Sequence, residues 1–227
     1  IIVALGAVGM IGSLALPILP RTVALRGFKQ ALAPIPSLAR SPSMAMAGFT
    51  AFVASSAMTI AVILLVPYLQ ELGNGETTIG LVRTVALVGS VTIGVIFGKI
   101  VSRTGQKNLY TLALVASGLV MLAFPVVGSD LAPVAALMFL HGILFGVLAP
   151  LYPLTASTYS SQEQRGVAMA YVGLYWGVAQ IAVPASFGFI AATLGLRDSF
   201  WFAGLMFIGF AVAVPILFPL LTKNYAL

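Results

Sequence analysis

The chain has no cysteine and a single histidine in 227 residues. Without cysteine there is no disulfide, no thiolate metal site and no thiol nucleophile. Charge is almost as scarce. Eleven basic and five acidic side chains make up 7% of the sequence, where a water-soluble domain normally carries about 25%. So few charges do not cover a water-facing surface, which excludes most soluble enzymes and DNA-binding domains. The basic residues are spread along the chain, so the net charge of +6 is not a nucleic-acid footprint, and no nucleic-acid partner is expected. One histidine and no acid inside an apolar run leave no triad or metal cluster to assemble. Neither enzyme activity nor a cofactor or metal is expected. A repeated filter-like segment or a ring of charge, as a channel needs, is lacking too.

What is present is hydrophobicity. Apolar residues make up 60% of the chain and mean hydropathy is +1.10. The charges fall at intervals and leave seven candidate helices, at about 1–20, 46–70, 78–98, 108–128, 131–156, 167–194 and 199–221. A bilayer crossing needs roughly 20 apolar residues. The runs are too long for barrel strands and lack period-two alternation. The expected fold class is therefore an all-α polytopic membrane protein, embedded in the lipid bilayer.

Basic residues set the orientation. One set of connections holds Arg21, Arg26, Lys29 and Arg40, then Lys99, Arg103 and Lys107, then Arg165, then Lys223. The other holds Glu71 and Glu76, then Asp130, then Arg197 with Asp198. The first set is expected in the cytoplasm. That places residue 1 outside and residue 227 inside a plasma (inner) membrane. Residue 1 already lies in an apolar run with no signal peptide, so the chain reads as part of a longer protein. Its organisation reads as one helix at 1–20, a basic linker at 21–45 and a six-helix bundle at 46–227. Around 23–33 the linker is either a basic amphipathic helix on the inner membrane surface or a solvated connection. Two six-helix bundles joined by such a linker produce this pattern if five helices precede residue 1.

The third and fourth spans are joined by GKIVSRTGQK at 98–107. Gly105 permits a tight reversal with positive φ, and Arg103 and Lys107 suit helix-terminal carbonyls and a cytoplasmic turn. This stretch resembles the loop signature of the major facilitator superfamily, Gly-x-x-x-Asp-Arg-x-Gly-x-Arg/Lys. Gly98, Arg103, Gly105 and Lys107 match, and Ser102 stands where the family often has aspartate. SQEQRGVAMA at 161–170 and the glycine- and proline-containing stretch from Gly173 to Gly188 are similar to the entry and body of the penultimate helix in that family. The drug-efflux branch is the nearest in character. The resemblance implies two six-helix halves related by an axis along the membrane normal, with substrate bound near the midplane between them. It also implies alternating access. The expected partners are a small-molecule substrate, protons, and an N-terminal half preceding this chain.

Polar residues within spans are expensive in lipid and therefore mark candidate sites. His141 lies about ten residues into its span and shares a helical stripe with Phe145, Leu148 and Tyr152. It is either a proton-carrying or substrate-contacting imidazole or a neutral group bonded between helices. Arg83 either snorkels to the outer interface or faces the central cavity and attracts anions. Gln180 shares a face with Trp176 and Gly173, as a substrate platform or as interhelical glue. Ser55, Ser56 and Thr59 either bond their own helix or contact substrate. Tyr171 and Tyr175 read as an interfacial belt or a gate. Glycine pairs 94/98, 142/146 and 173/177 have the four-residue spacing that lets helices approach closely. Pro67, Pro150, Pro153, Pro184 and Pro215 are candidate bends. All five acids fall in loops, so proton coupling requires His141 or a carboxylate outside this chain, the latter being the preferred reading. The expected function is secondary transport, with proton-coupled efflux of an amphipathic drug or metabolite first. Metabolite uptake, or a non-transporting membrane scaffold or sensor, is the alternative.

Overall fold

The computed structural model describes residues 35–128 and 130–222. The chain divides into two units, Ile1–Ala33 and Pro34–Leu227, and every described residue belongs to the second. The expected first span at 1–20 and the basic segment at 23–33 lie outside the described residues.

Among the described residues there are seven helices and no strand. They are α1 (Ile35–Ala39), α2 (Pro42–Glu71), α3 (Glu76–Thr104), α4 (Gln106–Val127), α5 (Leu131–Thr158), α6 (Arg165–Leu194) and α7 (Leu196–Thr222). Helices α2 to α7 are long and apolar enough to cross a membrane. Their 22–30 residues correspond to roughly 33–45 Å at 1.5 Å per residue. All six spans expected in this region are present, and the chain is an all-helical polytopic membrane bundle.

The helices overrun the expected spans. α2 begins at Pro42 instead of residue 46, and α3 runs to Thr104 instead of residue 98. Pro42 occupies the first helical turn, where its lack of an N–H removes no helical bond. Lys99 and Arg103 do not end α3, because long basic side chains reach water from the last turns and suit the exposed carbonyls there. Most of the motif at 98–107 is thus helix. Gly105 is the single residue between α3 and α4, at φ 76° and ψ 151°, a conformation open to glycine and strained for side-chain-bearing residues. Its N–H donates to the Val101 carbonyl at 2.9 Å.

The two ends of the bundle differ in charge. Lys99, Arg103, Lys107 and Arg165 gather at the end holding the α3–α4 and α5–α6 connections. Gln106 Nε2 donates to Thr158 Oγ1 there at 3.3 Å. Glu71, Glu76, Asp130, Arg197 and Asp198 lie at the opposite end. Asp130 caps α5 by accepting from the Ala132 N–H at 3.2 Å, satisfying one of the helix's free donors. At this end the Tyr68 hydroxyl donates to the Phe124 carbonyl at 3.3 Å. The Phe200 ring packs against both Tyr68 and Phe124, at 5.2 and 5.3 Å between centroids, which ties α2, α4 and α7 together.

The most extensive pairings are α4 with α7, α2 with α6 and α3 with α5, and α2 also packs on α5 and α7. In a bilayer, close backbone approach and van der Waals contact hold such pairs. A Cβ on Gly142 would strike the Ala86 backbone, and one on Gly146 would meet the Ser90 carbonyl. That pair of glycines seats α5 on α3. The pairs at 94/98 and 173/177 have nothing within 4 Å, so they make no close approach among the described residues. The five flagged prolines all lie inside helices.

Candidate functional site

A cavity of about 450 Å³ opens among α2, α3 and α5. α2 supplies Met58 and Leu65, α3 supplies Arg83 and Leu87, and α5 supplies His141 and Phe145. The lining is mostly apolar, with Thr84 and Ser90 as its hydroxyl groups. Arg83 and Leu87 sit four residues apart and Ser90 three further on, so one stripe of α3 faces the space. Arg83 is seven residues from the start of α3 and His141 ten from the start of α5. At 1.5 Å per residue these depths are roughly 10 and 15 Å. The arginine stands nearer the end of the bundle and the histidine nearer its middle.

Two sequence candidates far apart in the chain thus share one space. His141 is 4% exposed, and its Nδ1 is buried without a hydrogen-bond partner. Arg83 is exposed and has no ion pair or hydrogen bond among the described residues. Thr84 donates to the Gly80 carbonyl at 2.9 Å, so its hydroxyl proton is engaged within α3. The stripe expected along α5 continues from the cavity inward. Phe145 lines it, Leu148 is fully buried, and the Tyr152 ring packs on Trp176 at 5.4 Å.

The remaining polar candidates form a separate cluster between α2 and α6. Gln180 Nε2 donates to Ser55 Oγ at 2.9 Å and to Thr59 Oγ1 at 2.8 Å. Ser55 Oγ donates to the Trp176 carbonyl at 3.1 Å. Of Ser55, Ser56 and Thr59, it is Ser56 that donates back to its own helix, at Phe52 O, 2.8 Å. Ser55 and Thr59 therefore occupy the face of α2 turned to α6, and Met58 and Leu65 the face turned to the cavity. Tyr171 is buried, with its hydroxyl 2.9 Å from that of Tyr175. The Tyr175 ring covers Gly48 of α2. The two tyrosines thus form a pair packed against the neighbouring helix.

At the motif, Ser102 Oγ donates to the Lys99 carbonyl at 3.0 Å. A hydroxyl at this position is satisfied by its own helix, where a carboxylate would seek a basic partner. Gly98, Arg103 and Lys107 are exposed, and no ion pair joins Arg103 or Lys107 to another described residue. Among the described residues no three His, Cys, Asp or Glu side chains group to hold a metal.

Sequence reasoning missed Ser90, Met58 and Met138 as cavity residues. The offset of seven from Arg83 to Ser90 was a usable signal for the first. The methionines carried none, because a methionine inside an apolar run looks the same on either face of its helix.

No curated protein matches the chain. Residues 44–225 match the model of the Major Facilitator Superfamily, a stretch that takes in α3 to α7, nearly all of α2 and the 98–107 turn. With six membrane-length helices and a match over most of its length, the chain belongs to the Major Facilitator Superfamily of membrane transporters.

Proposed function

We propose that the protein is a secondary transporter that moves a small amphipathic molecule across the membrane by alternating access, with proton-coupled efflux as the leading mode. The observation that carries this reading is the cavity among α2, α3 and α5. Its volume falls within the roughly 300–1,000 Å³ of small-molecule sites, and an apolar lining with few polar groups suits an amphipathic ligand. The basic end of the bundle faces the cytoplasm by the positive-inside rule, in a plasma (inner) membrane, so the cavity sits in the outer half. His141 is the titratable group on its wall. It serves as the proton-coupling candidate within the described residues, and Arg83 orients substrate. Gly98, Arg103, Gly105 and Lys107 form the turn about which α3 and α4 move together. Gln180, Trp176, Ser55 and Thr59 hold α2 to α6 during that movement.

The test is substrate-triggered proton movement in inverted vesicles carrying the protein, against cationic, neutral and anionic compounds. Proton release on addition of an amphipathic compound, lost in His141→Ala at matched membrane level, is the expected result. Movement of substrate with no proton response removes the coupling, and movement of no compound by folded protein removes the transport reading.

A further inference from the structure

Two polar groups on the cavity wall, the Arg83 guanidinium and the Ser90 hydroxyl, have hydrogen bonds free to donate. A guanidinium has five N–H donors and no acceptor, and that of Arg83 has no partner among the described residues. The Ser90 hydroxyl lines the same space and makes no hydrogen bond among them. His141, 4% exposed with Nδ1 unpaired, stands on the same wall deeper in. Among the described residues no carboxylate lines the cavity. The nearest acid along α3 is Glu76 at its first residue, seven positions and roughly 10 Å from Arg83. Arg83 stands on a mostly apolar wall with no partner among the described residues, and an anion supplies one with charge-assisted, bidentate bonds.

We infer that this cavity binds an organic anion with an apolar body, its acidic group on Arg83 and its body against Leu65, Leu87 and Phe145. The inference rests on the transport reading above and narrows its substrate class. Such an anion has two sources, a dissolved carboxylate or sulfonate and an anionic lipid headgroup with its chain.

The experiment uses the protein in nanodiscs of phosphatidylcholine and three probes sharing one body: 4-phenylbutyrate, its neutral amide and 4-phenylbutylamine. The carboxylate is expected to bind about tenfold more tightly than the other two, the worth of one charged hydrogen-bonded pair. Arg83→Gln removes that preference, and Arg83→Lys keeps part of it, since the charge remains but the planar fork is lost. A preference that survives Arg83→Gln in a variant with unchanged melting temperature overturns the site. So does equal binding of acid and amide. Adding phosphatidylglycerol separates the sources: competition with 4-phenylbutyrate assigns the site to lipid, and its absence to a dissolved anion. Flux in proteoliposomes separates the two readings. Binding of the acid without flux of any probe removes transport and keeps the anion site. Flux of the amine or amide without preference for the acid removes the anion site and keeps transport.

Discussion

α2 carries a polar patch on one face and borders the cavity with another, and the two regions treat their polar groups in opposite ways. Toward α6, Ser55, Thr59 and Gln180 close a hydrogen-bonded set with the Trp176 carbonyl. Toward α3 and α5, Arg83, Ser90 and His141 Nδ1 have no partner among the described residues. All of these groups sit in helices of membrane length, so leaving one unpaired costs free energy. A satisfied set resists change and holds two helices in register. An unsatisfied one is relieved by whatever enters the cavity. This physical criterion supports Gln180 as a structural tie and Arg83 with His141 as the binding groups we propose.

Substitutions sharpen or break that contrast. The largest effect is expected for Gly142→Leu, at the seat of α5 on α3. The added side chain meets the Ala86 backbone, which rotation of a side chain does not relieve. A loss of more than about 3 kcal/mol is expected, seen as failure to recover monodisperse protein from the membrane. Normal recovery and melting would show that the cavity walls are looser than the packing indicates. Next is Gly105→Val, outside both regions. Its φ of 76° with ψ 151° costs a β-branched residue roughly 1–3 kcal/mol. Insertion should proceed while transport falls, and full activity would reduce the motif to a simple turn.

Gln180→Leu comes third. It removes two side-chain hydrogen bonds worth on average about 0.6 kcal/mol each in membrane proteins. The melting temperature should drop by a few degrees, while the acid-over-amide preference of the cavity is kept. A changed preference would merge the two regions into one site. The smallest stability effect belongs to His141→Leu. Replacing a buried group whose Nδ1 is unpaired with an apolar one of similar size is close to neutral or stabilising, within about 0.5 kcal/mol. Proton-coupled transport should nevertheless be lost. Marked destabilisation would return His141 to the structural side of the comparison.

The hydropathy pattern was enough to place every described span, because lipid demands long apolar helices and tolerates charge only at their ends. It located His141 and Arg83 as costly residues for the same reason. Helix ends were less legible. Lys99 and Arg103 read as loop, but basic residues are at home in a last helical turn, so α3 continues to Thr104. Burial was not legible at all. Nineteen of the 30 residues of α2 are buried, and three of the 29 of α3, though both read as uniform apolar runs. In a bilayer lipid-facing and core-facing positions are both apolar, so the amphipathic stripe that marks burial in a water-soluble helix is absent.

The sequence by itself therefore determined the membrane class, the number of described spans, the charge difference between the two ends and the glycine turn at Gly105. Each follows from what lipid or a positive φ permits locally, without reference to a neighbouring helix. The tertiary structure decided which candidates meet. It joined Arg83 to His141 across 58 positions, tied Gln180 to Ser55 and Thr59, and chose 142/146 over 94/98 and 173/177 as the working glycine pair. Those outcomes depend on how six helices rotate against one another. In an apolar solvent that rotation is set by close packing and by pairing of the few polar groups, which are properties of pairs of helices and not of any one stretch of chain.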